Sequence, residues 1–268
     1  MKLAINYSQQ ADALVAAGHI SVDYFKCPDW PDLVEKVSAV HPVVVHFSLR
    51  AGPGLLAGMD WEQIEALALR TGTYYINLHL DPTTEEFPDI PPDAPPERAP
   101  EVIDRMLADV QAVVDKFGPE RVIAENVPYR GKHGIVLRAG AEPAVINQII
   151  TETGCGLLMD ISHARISAHH LSMGADEYMQ CLPVERLREL HFTGLHPIDG
   201  GLQDHLPILE GDWPVLEWVV ERIRYGDWSR PWMLAYEYGG VGEKYADRSD
   251  PEVIAAQAPA LARIVQPV

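Results

Sequence analysis

Short apolar runs alternate with longer amphipathic stretches along the whole chain. Uninterrupted apolar runs predict strands, and apolar positions spaced three or four residues apart predict helices. The predicted strands are Leu3–Tyr7, Val22–Lys26, Val43–Ser48, Tyr74–Leu80, Val122–Val127, Gly156–Ile161, Leu187–Phe192 and Met233–Tyr238. The predicted helices are Ala11–Ala17, Trp30–Val40, Trp61–Arg70, Glu101–Phe117, Ala144–Thr153, Ala168–Gln180, Trp213–Tyr225 and Pro251–Val265. Eight strands alternating with eight helices predict an α/β protein, a single (β/α)8 TIM-barrel domain over residues 1–268.

A doubly wound sheet is the alternative arrangement of the same elements. That fold usually carries a glycine-rich, phosphate-binding turn after its first strand. Here the corresponding turn runs from Asn6 to Gln10, reads NYSQQ and contains no glycine. The barrel is therefore favoured.

Composition narrows the classes of function. The 268 residues are 47% hydrophobic and 22% charged, which is enough apolar material for a folded core. A net charge of -18 disfavours binding to nucleic acid or to anionic membranes. Three cysteines without close spacing argue against a disulfide scaffold. With neither a targeting peptide nor a membrane span evident, the sequence predicts a cytoplasmic protein.

The segment Asp81–Glu101 breaks the alternation of strands and helices. It holds seven prolines, seven acidic residues and one arginine, a composition typical of a stiff, solvated surface connection. Because it follows the fourth strand, it would lie at the C-terminal face of the barrel, where long loops form lids or substrate walls. In that position its charge would favour a basic or neutral peptide substrate.

Histidines and carboxylates gather at the ends of six consecutive predicted strands. The C-terminal ends of barrel strands form one rim, where barrel enzymes keep their active sites. The candidate metal ligands are His46, His79, Glu125, Asp160, His163 and His191 at the strand ends, Asp204 and His205 in the loop beyond the seventh strand, and Glu237 at the end of the eighth.

Each of these residues alone has an ordinary explanation, as a hydrogen-bonded histidine or a helix cap. The set as a whole needs a different explanation, because clustered carboxylates repel each other unless cations neutralise them. Imidazoles with carboxylates suit iron, zinc or manganese, and the lack of cysteine in the set argues against structural zinc. Nine ligands are too many for one ion, so the set predicts a metal site with two or three ions at the rim.

Two stretches resemble the multinuclear non-heme iron-dependent oxidative enzymes, formerly the domain of unknown function 692. Residues 157–196 read LLMDISHARISAHHLSMGADEYMQCLPVERLRELHFTGLH. They follow that family's order of an Asp-bearing strand, a V-S-A-x-N/H segment and an E-I-H-L-A-G-H strand. Residues 125–129, ENVPY, resemble its E-N-x-S-Y element. More distantly, the order of ligands resembles the xylose-isomerase-like barrels, including the trinuclear zinc apurinic endonucleases.

The resemblance implies two or three irons that oxidise residues of a peptide, frequently cysteine, with dioxygen. Zinc or manganese would be substitutes, and a partner protein often presents the peptide. By position, the resemblance assigns His46, His79 and Glu125 to one metal, Asp160, His191 and Glu237 to a second with Glu125 bridging, and His163, Asp204 and His205 to a third.

Further candidates lie around these ligands. Asn126 and Tyr129 are candidate catalytic residues, and Arg130 and His196 are candidates for substrate binding. A structural amide and a loop arginine are the plain alternatives for Asn126 and Arg130. His169 and His170 are expected at the start of a helix near the surface.

The sequence departs from the family at the third metal. The family pattern D-x-H is replaced here by Gln203-Asp204-His205. Either Asp204 reaches the metal from a shifted register, or the third site lacks its carboxylate.

Two other functions remain open. The stretch HLPILEGDW, residues 205–213, resembles the H-L-P-x-G-E-G-D element of divalent-metal sugar isomerases and epimerases, with Glu210 matching. That function would leave His46 and His79 unexplained. A trinuclear-zinc phosphodiesterase acting on DNA is less favoured because the chain is acidic.

Overall fold

The structure is a computed structural model that describes residues 1–243 and 245–266. Its strands are β1 Lys2–Asn6, β2 Tyr24–Pro28, β3 Val43–His46, β4 Arg50–Ala51, β5 Ile76–Leu80, β6 Val122–Glu125, β7 Gly156–Asp160, β8 Leu187–Phe192, β9 Gly194–Ile198, β10 Gly201–Leu206 and β11 Met233–Tyr236. Its α-helices are α1 Gln9–Ala16, α2 Pro31–Ser38, α3 Trp61–Thr71, α4 Pro100–Phe117, α5 Pro143–Thr153, α6 Ile161–Leu171, α7 Ala175–Gln180, α8 Trp213–Tyr225 and α9 Pro251–Val265. No helix within the described residues is both long enough and apolar enough to cross a membrane.

Each of the eight strands predicted from the alternating pattern corresponds to a strand of the structure. Strand β8 and helices α8 and α9 have the predicted bounds, and α4 ends before Gly118 as its sequence indicates. Helix α4 shows why the pattern works, because its buried Val102, Met106, Val110, Val113 and Phe117 recur every three or four residues.

The predicted helix Ala168–Gln180 is wrong. Helix α6 begins directly after β7, because Asp160 caps it by accepting a hydrogen bond from the backbone N–H of His163. The helix ends at Ser172, whose φ of 57° is left-handed, and α7 is a separate helix. His169 and His170 therefore lie in the last turn of α6 rather than at the start of a helix.

The loop expected beyond the seventh strand is instead an antiparallel hairpin of β9 and β10. Asp199 and Gly200 form its turn with φ values of 50° and 79°, as tight hairpins require. The register shifts between Gln203 and Leu206, and His205 has a φ of 56° there. This bulge sets the direction of the side chains on β10.

The chain contains two compact units. Unit 1 comprises Met1–His46, Ala66–Thr73 and Glu189–Val268, and unit 2 comprises Phe47–Glu65 and Tyr74–Arg188. In unit 1 the parallel strand order is β3-β2-β1-β11-β8. Ala4, Val44, Met233 and Ala235 form a buried cluster in this unit, and Tyr24 and Trp232 pack against it. The single-domain prediction for residues 1–268 stays a prediction.

Unit 2 is built on parallel strands in the order β4-β5-β6-β7. The registers pair His79 of β5 with Glu125 of β6, and Glu125 with Leu158 of β7. In each unit, parallel pairing brings the C-terminal ends of its strands to one edge. Within each unit, the ligand-type residues at the strand ends therefore lie along one edge, and their grouping at a single rim stays a prediction.

Candidate metal centre

Four predicted ligands form a group in unit 2, called here the Glu125 group: His79, Glu125, Asp160 and His163. Nε2 of His79 lies 3.3 Å from Oε2 of Glu125, and Nδ1 of His163 lies 3.6 Å from Oε1 of the same carboxylate. Nε2 of His163 is 3.7 Å from Oδ2 of Asp160. The ligand-type atoms of Glu125, Asp160 and His163 all lie within 4.8 Å of one another, and these three residues are buried. One ion could contact all three.

Asp160 serves two purposes in this group. Its Oδ1 accepts the backbone N–H of His163 at 2.8 Å, which caps helix α6. Its Oδ2 faces the His163 ring. The plain explanation of a helix cap is therefore correct for one oxygen, and the other oxygen is turned toward the group.

Asn126 ties the end of β6 to the end of β7. Its Nδ2 donates to the backbone carbonyl of Asp160 at 3.0 Å, and its Oδ1 accepts the backbone N–H of Asp160 at 2.9 Å. The side chain is completely buried. These contacts favour a positioning role for Asn126, whereas the catalytic role stays a prediction.

Backbone carbonyls determine which nitrogen carries the proton in two imidazoles of the Glu125 group. Nδ1 of His79 lies 3.0 Å from the carbonyl of Leu49, and Nδ1 of His163 lies 3.0 Å from the carbonyl of Asn126. A carbonyl only accepts, so each Nδ1 carries a proton, and Nε2 is the nitrogen of each ring that is available to a metal. Metal-binding histidines are held in this way.

A second group of predicted ligands lies in unit 1 around Glu237, and we call it the Glu237 group: His46, His191, His205 and Glu237. Nδ1 of His191 is 3.0 Å from Oε1 of Glu237, and Nε2 of His205 is 3.9 Å from Oε2. The ring of His46 lies 5.3 Å from the ring of His191, centroid to centroid. Nδ1 of His205 is 2.9 Å from the Glu237 carbonyl, so in this ring too Nε2 is the nitrogen that is available to a metal.

The chain supplies a cation to the Glu237 group. The ammonium of Lys26 forms an ion pair with Oε1 of Glu237, and both side chains are almost completely buried. Burial alone would raise the pKa of Glu237, but the charges of His191 and Lys26 hold that pKa well below its usual range. Glu237 is therefore an ionised carboxylate in the folded chain.

Sequence reasoning missed two residues that contact the Glu237 group, Lys26 and Glu189. Lys26 stands between Phe25 and Cys27 in a buried stretch of β2, and a charged residue in such a stretch is the signal that could have identified it. Glu189 lies two residues before His191, and its Oε1 is 2.9 Å from Nε2 of that histidine. Because strand side chains alternate, the spacing alone places both on one face.

The hairpin carries Asp204 and His205, the remaining predicted ligands. Asp204 is buried. Gln203 lies against Arg248, and with its amide oxygen turned toward that residue it accepts two hydrogen bonds, at 2.7 and 3.1 Å. These contacts favour Asp204 over Gln203 as the ligand, and the assignment stays a prediction. Nε2 of His196 lies 2.7 Å from the Pro207 carbonyl, so this histidine also has a structural contact.

Tyr129 and Arg130 follow β6 in unit 2. Tyr129 is buried, and its backbone N–H donates to Oγ of Ser167 at 3.0 Å. Burial raises the pKa of Tyr129, which therefore stays a neutral phenol and a hydrogen-bond donor. Arg130 is half-buried, directly before a short 3-10 helix, Gly131–His133. Their proposed contacts with substrate stay predictions.

The acidic, proline-rich segment is fastened to residues 135–138 of unit 2. Three backbone hydrogen bonds join them, from Thr84 to Ile135, from Leu137 to Pro82 and from Arg138 to Pro92. The segment lines a surface pocket of about 470 Å³ with Asp89, Asp93 and Glu101 beside Arg98. The segment is therefore attached to unit 2 and presents its carboxylates at the surface. Its role as a substrate wall stays a prediction.

Comparison with known proteins gives the family and the fold. A protein-family model described as RiPP precursor modification enzyme MbnB/TglH/ChrH matches residues 23–226. A UPF0276 protein from Caulobacter sp. (strain K31) is 28% identical over 169 residues, which are 60% of this chain and 59% of that protein. The chain thus matches about three fifths of the length of that relative.

Two solved structures resemble nearly the whole chain. D-allulose 3-epimerase from Methylomonas sp., solved with D-allulose, has a TM-score of 0.62 at 13% identity and covers 98% of this chain and 96% of its own. A xylose isomerase-like TIM barrel/4-hydroxyphenylpyruvate dioxygenase fusion protein has a TM-score of 0.55 at 14% identity, covering 97% of this chain and 42% of its own. At such low identity these likenesses show the fold alone. They confirm the predicted TIM-barrel fold.

The matched region contains eight of the nine predicted ligands, since only Glu237 lies beyond residue 226. It also contains both stretches that carry the sequence resemblance. The match extends over well more than half of the chain, and so this protein belongs to the RiPP precursor modification enzyme family MbnB/TglH/ChrH, the multinuclear iron family that its sequence resembles.

Proposed function

We propose that this protein is a di- or tri-iron oxidative enzyme that modifies a peptide with dioxygen. The observation that carries the proposal is the Glu125 group, in which buried Glu125, Asp160 and His163 bring ligand-type atoms within 4.8 Å of one another. Membership in a family of precursor-peptide modification enzymes supports the peptide as the substrate class.

The donor atoms of the Glu125 group fit a divalent metal. Two buried carboxylates at this separation repel each other, and a cation between them removes that repulsion. Nε2 of His79 and Nε2 of His163 lie 3.3 and 3.7 Å from a carboxylate oxygen, and both nitrogens are available to a metal. Mixed imidazole and carboxylate donors are typical of iron, zinc and manganese sites.

In the proposed enzyme the nine residues hold the metals, and other residues position them. The bound iron would supply redox chemistry with dioxygen and a Lewis-acid site for a substrate thiolate or amide. Asn126 fixes the backbone of Asp160 through two hydrogen bonds and so fixes where its carboxylate lies. Tyr129, kept neutral by burial, is a hydrogen-bond donor that does not add a negative charge.

The peptide is expected to be basic or neutral near the acidic segment. Asp89, Asp93 and Glu101 line the pocket there with Arg98 as its cation, so their field favours positive side chains. A partner protein that presents the peptide is part of the proposal. A small thiol or amide is the alternative substrate, because the same donor groups would accept it.

A sugar epimerase remains the alternative function. Its support is the fold, shared with D-allulose 3-epimerase at 13% identity, and the fold does not specify the reaction. Glu210, which matches the isomerase-like sequence element, is exposed. The oxidative enzyme accounts for more of the candidate residues, since it uses the half-buried His46 and His79 as ligands.

Metal analysis after anaerobic purification tests the proposal. We expect two or three equivalents of iron, and oxygen uptake when a cysteine-containing precursor peptide is added. Metal-free protein should be reconstituted separately with ferrous iron, zinc and manganese, with Glu142→Gln as a control, because Glu142 pairs with Arg138 outside both groups. Less than one equivalent of metal without preference for iron would contradict the proposal. Turnover of ketoses with manganese and without oxygen uptake would favour the epimerase.

A further inference from the structure

The histidines of the two groups are held in two different ways. In three of them Nδ1 faces a backbone carbonyl: His79 with Leu49, His163 with Asn126 and His205 with Glu237. His191 differs, because its Nε2 lies 2.9 Å from a carboxylate oxygen of Glu189. Its Nδ1 lies 3.0 Å from Glu237. The ring of His191 is therefore reversed relative to the other three.

Strand pairing places Glu189 beneath His191. Both residues are on β8, two positions apart, and the register pairs Glu189 with Met233 and His191 with Ala235. Side chains two apart on a strand point to the same side, so Glu189 lies one layer further toward the start of the strand. Glu189 is only 7% exposed, and a carboxylate that is buried to this extent is expensive unless it is fully hydrogen-bonded.

Trp232 completes the hydrogen bonding of Glu189. Its indole Nε1–H donates to Oε2 of Glu189 at 2.9 Å, and an indole N–H only donates. The indole packs edge-on against Tyr24, with centroids 5.6 Å apart, so its position is fixed by packing. One oxygen of Glu189 thus faces a fixed donor, and the other is left to accept from His191.

We propose that Glu189 is a positioning residue, which together with Trp232 keeps a proton on Nε2 of His191 and makes Nδ1 the metal-binding nitrogen. The inference rests on the proposed metal-binding function. Nδ1 is also the nitrogen that faces Glu237. A carboxylate partner makes an imidazole a stronger donor to metal than a carbonyl partner does. His191 would therefore be the strongest imidazole donor of those whose partners are described above.

The two N–H groups that donate to Glu189 predict the effect of Glu189→Gln on the imidazole proton. The carboxylate offers two oxygens to two donors, the indole N–H and the imidazole N–H. Glutamine offers one oxygen, and its NH₂ group must face the other donor. Because the indole proton cannot move to another atom, Nε2 of the imidazole is the nitrogen that loses its proton, and the remaining ring proton is then on Nδ1. That shift blocks the nitrogen that faces Glu237.

The experiment uses protein labelled with ¹⁵N-histidine, first metal-free and then loaded with zinc alone, which is diamagnetic. In the wild type we expect Nε2 of His191 to carry a proton both without metal and with zinc, and zinc to bind through Nδ1. Glu189→Gln should remove the Nε2 proton and lower zinc affinity by about 10- to 100-fold. Trp232→Phe keeps the carboxylate but removes its second donor, and should produce a smaller loss in the same direction. It also serves as the test if Glu189→Gln does not fold.

Asp109→Asn is the matched control. Asp109 is a buried carboxylate in unit 2 that accepts the backbone N–H groups of Gly52 and Gly54 at 2.8 and 3.0 Å. Its replacement should reduce stability without changing zinc affinity or the His191 proton. If Glu189→Gln keeps the wild-type proton pattern and zinc affinity, Glu189 is not a positioning residue, although the proposed function stands. A wild-type chain that binds neither zinc nor iron would overturn both.

Discussion

The Glu125 group and the Glu237 group bury similar side chains but balance their charge differently. In the Glu125 group the carboxylates of Glu125 and Asp160 face the imidazoles of His79 and His163, and Asp160 also accepts a backbone N–H. In the Glu237 group the carboxylate forms an ion pair with the ammonium of Lys26. One group therefore includes a permanent cation from the chain itself.

This difference predicts how strongly metal binding and folding are coupled in each unit. Lys26 already neutralises part of the negative charge in the Glu237 group before any metal arrives. A metal that binds Glu237 must share the carboxylate with this ammonium or displace it. The Glu125 group contains two carboxylates and no lysine or arginine among its four residues, so a metal ion that binds there supplies the balancing positive charge. We expect unit 2 to gain more stability from metal than unit 1.

The largest effect is expected from Glu125→Gln. The two oxygens of Glu125 face different histidines, Oε2 toward His79 and Oε1 toward His163, as a carboxylate shared by two metals would. Removing its charge should increase the repulsion between the cations, lower metal content by more than one ion and abolish activity. Metal analysis and oxygen-uptake assays measure both. A variant that keeps its full metal content and activity would show that Glu125 does not bridge.

Lys26→Met should have the next largest effect. It leaves buried Glu237 without its ammonium, and breaking a buried ion pair costs about 3–5 kcal/mol. Zinc should restore part of the lost free energy of unfolding because it replaces the missing positive charge. Urea unfolding with and without zinc measures this, and Lys2→Met is the control, since the Lys2–Asp23 pair is exposed and should contribute little. An equal loss with and without zinc would mean that Lys26 and metal do not act on the same carboxylate.

The sequence could predict most of the ligand positions because they depend on local pattern. His79, Glu125 and Asp160 each come at or near the end of an apolar run, and parallel pairing then sets their shared edge. The end of β7 was more difficult, because the apolar run continues into Ile161, which is helical once Asp160 caps α6.

Other parts of the site depend on contacts between residues far apart in sequence. The ion pair of Lys26 with Glu237 joins residues 211 positions apart, and only the pairing of β1 with both β2 and β11 brings them together. The Trp232–Glu189 hydrogen bond spans 43 positions. The β9–β10 hairpin escaped prediction because Pro197 interrupts its first strand and the polar run from Gln203 to His205 interrupts its second.

A smaller effect is expected on β10, where the Glu237 group continues to His205. Asp204→Asn should lower metal content by one ion and leave the others bound, because the hairpin residues would serve a single metal. Gln203→Asp should change little, since residue 203 faces Arg248 and the new carboxylate would pair with it. Metal analysis of both variants checks this. If the two variants retain the wild-type metal content, neither residue belongs to the site, and the Glu237 group ends at His205.

The smallest effect is a difference in labelling rate between two buried thiols, one in each unit. Cys27 lies in β2 beside Lys26, and Cys155 directly precedes β7. Burial raises the pKa of Cys27 to about 12 and also raises the pKa of Cys155. Both thiols therefore stay protonated and shielded at pH 8, and iodoacetamide reaches them only when the surrounding structure opens.

Their alkylation should report how much each unit depends on metal. Cys181→Ser removes the exposed thiol, so mass spectrometry follows the two buried ones alone. Removing metal should accelerate labelling of Cys155 more than that of Cys27, because Lys26 continues to balance Glu237 in unit 1. Adding the Lys26→Met substitution should remove that balancing charge and raise the alkylation rate of Cys27 in the metal-free protein. Equal acceleration of both thiols, unchanged by Lys26→Met, would mean that the buried lysine does not stabilise unit 1 in place of a metal.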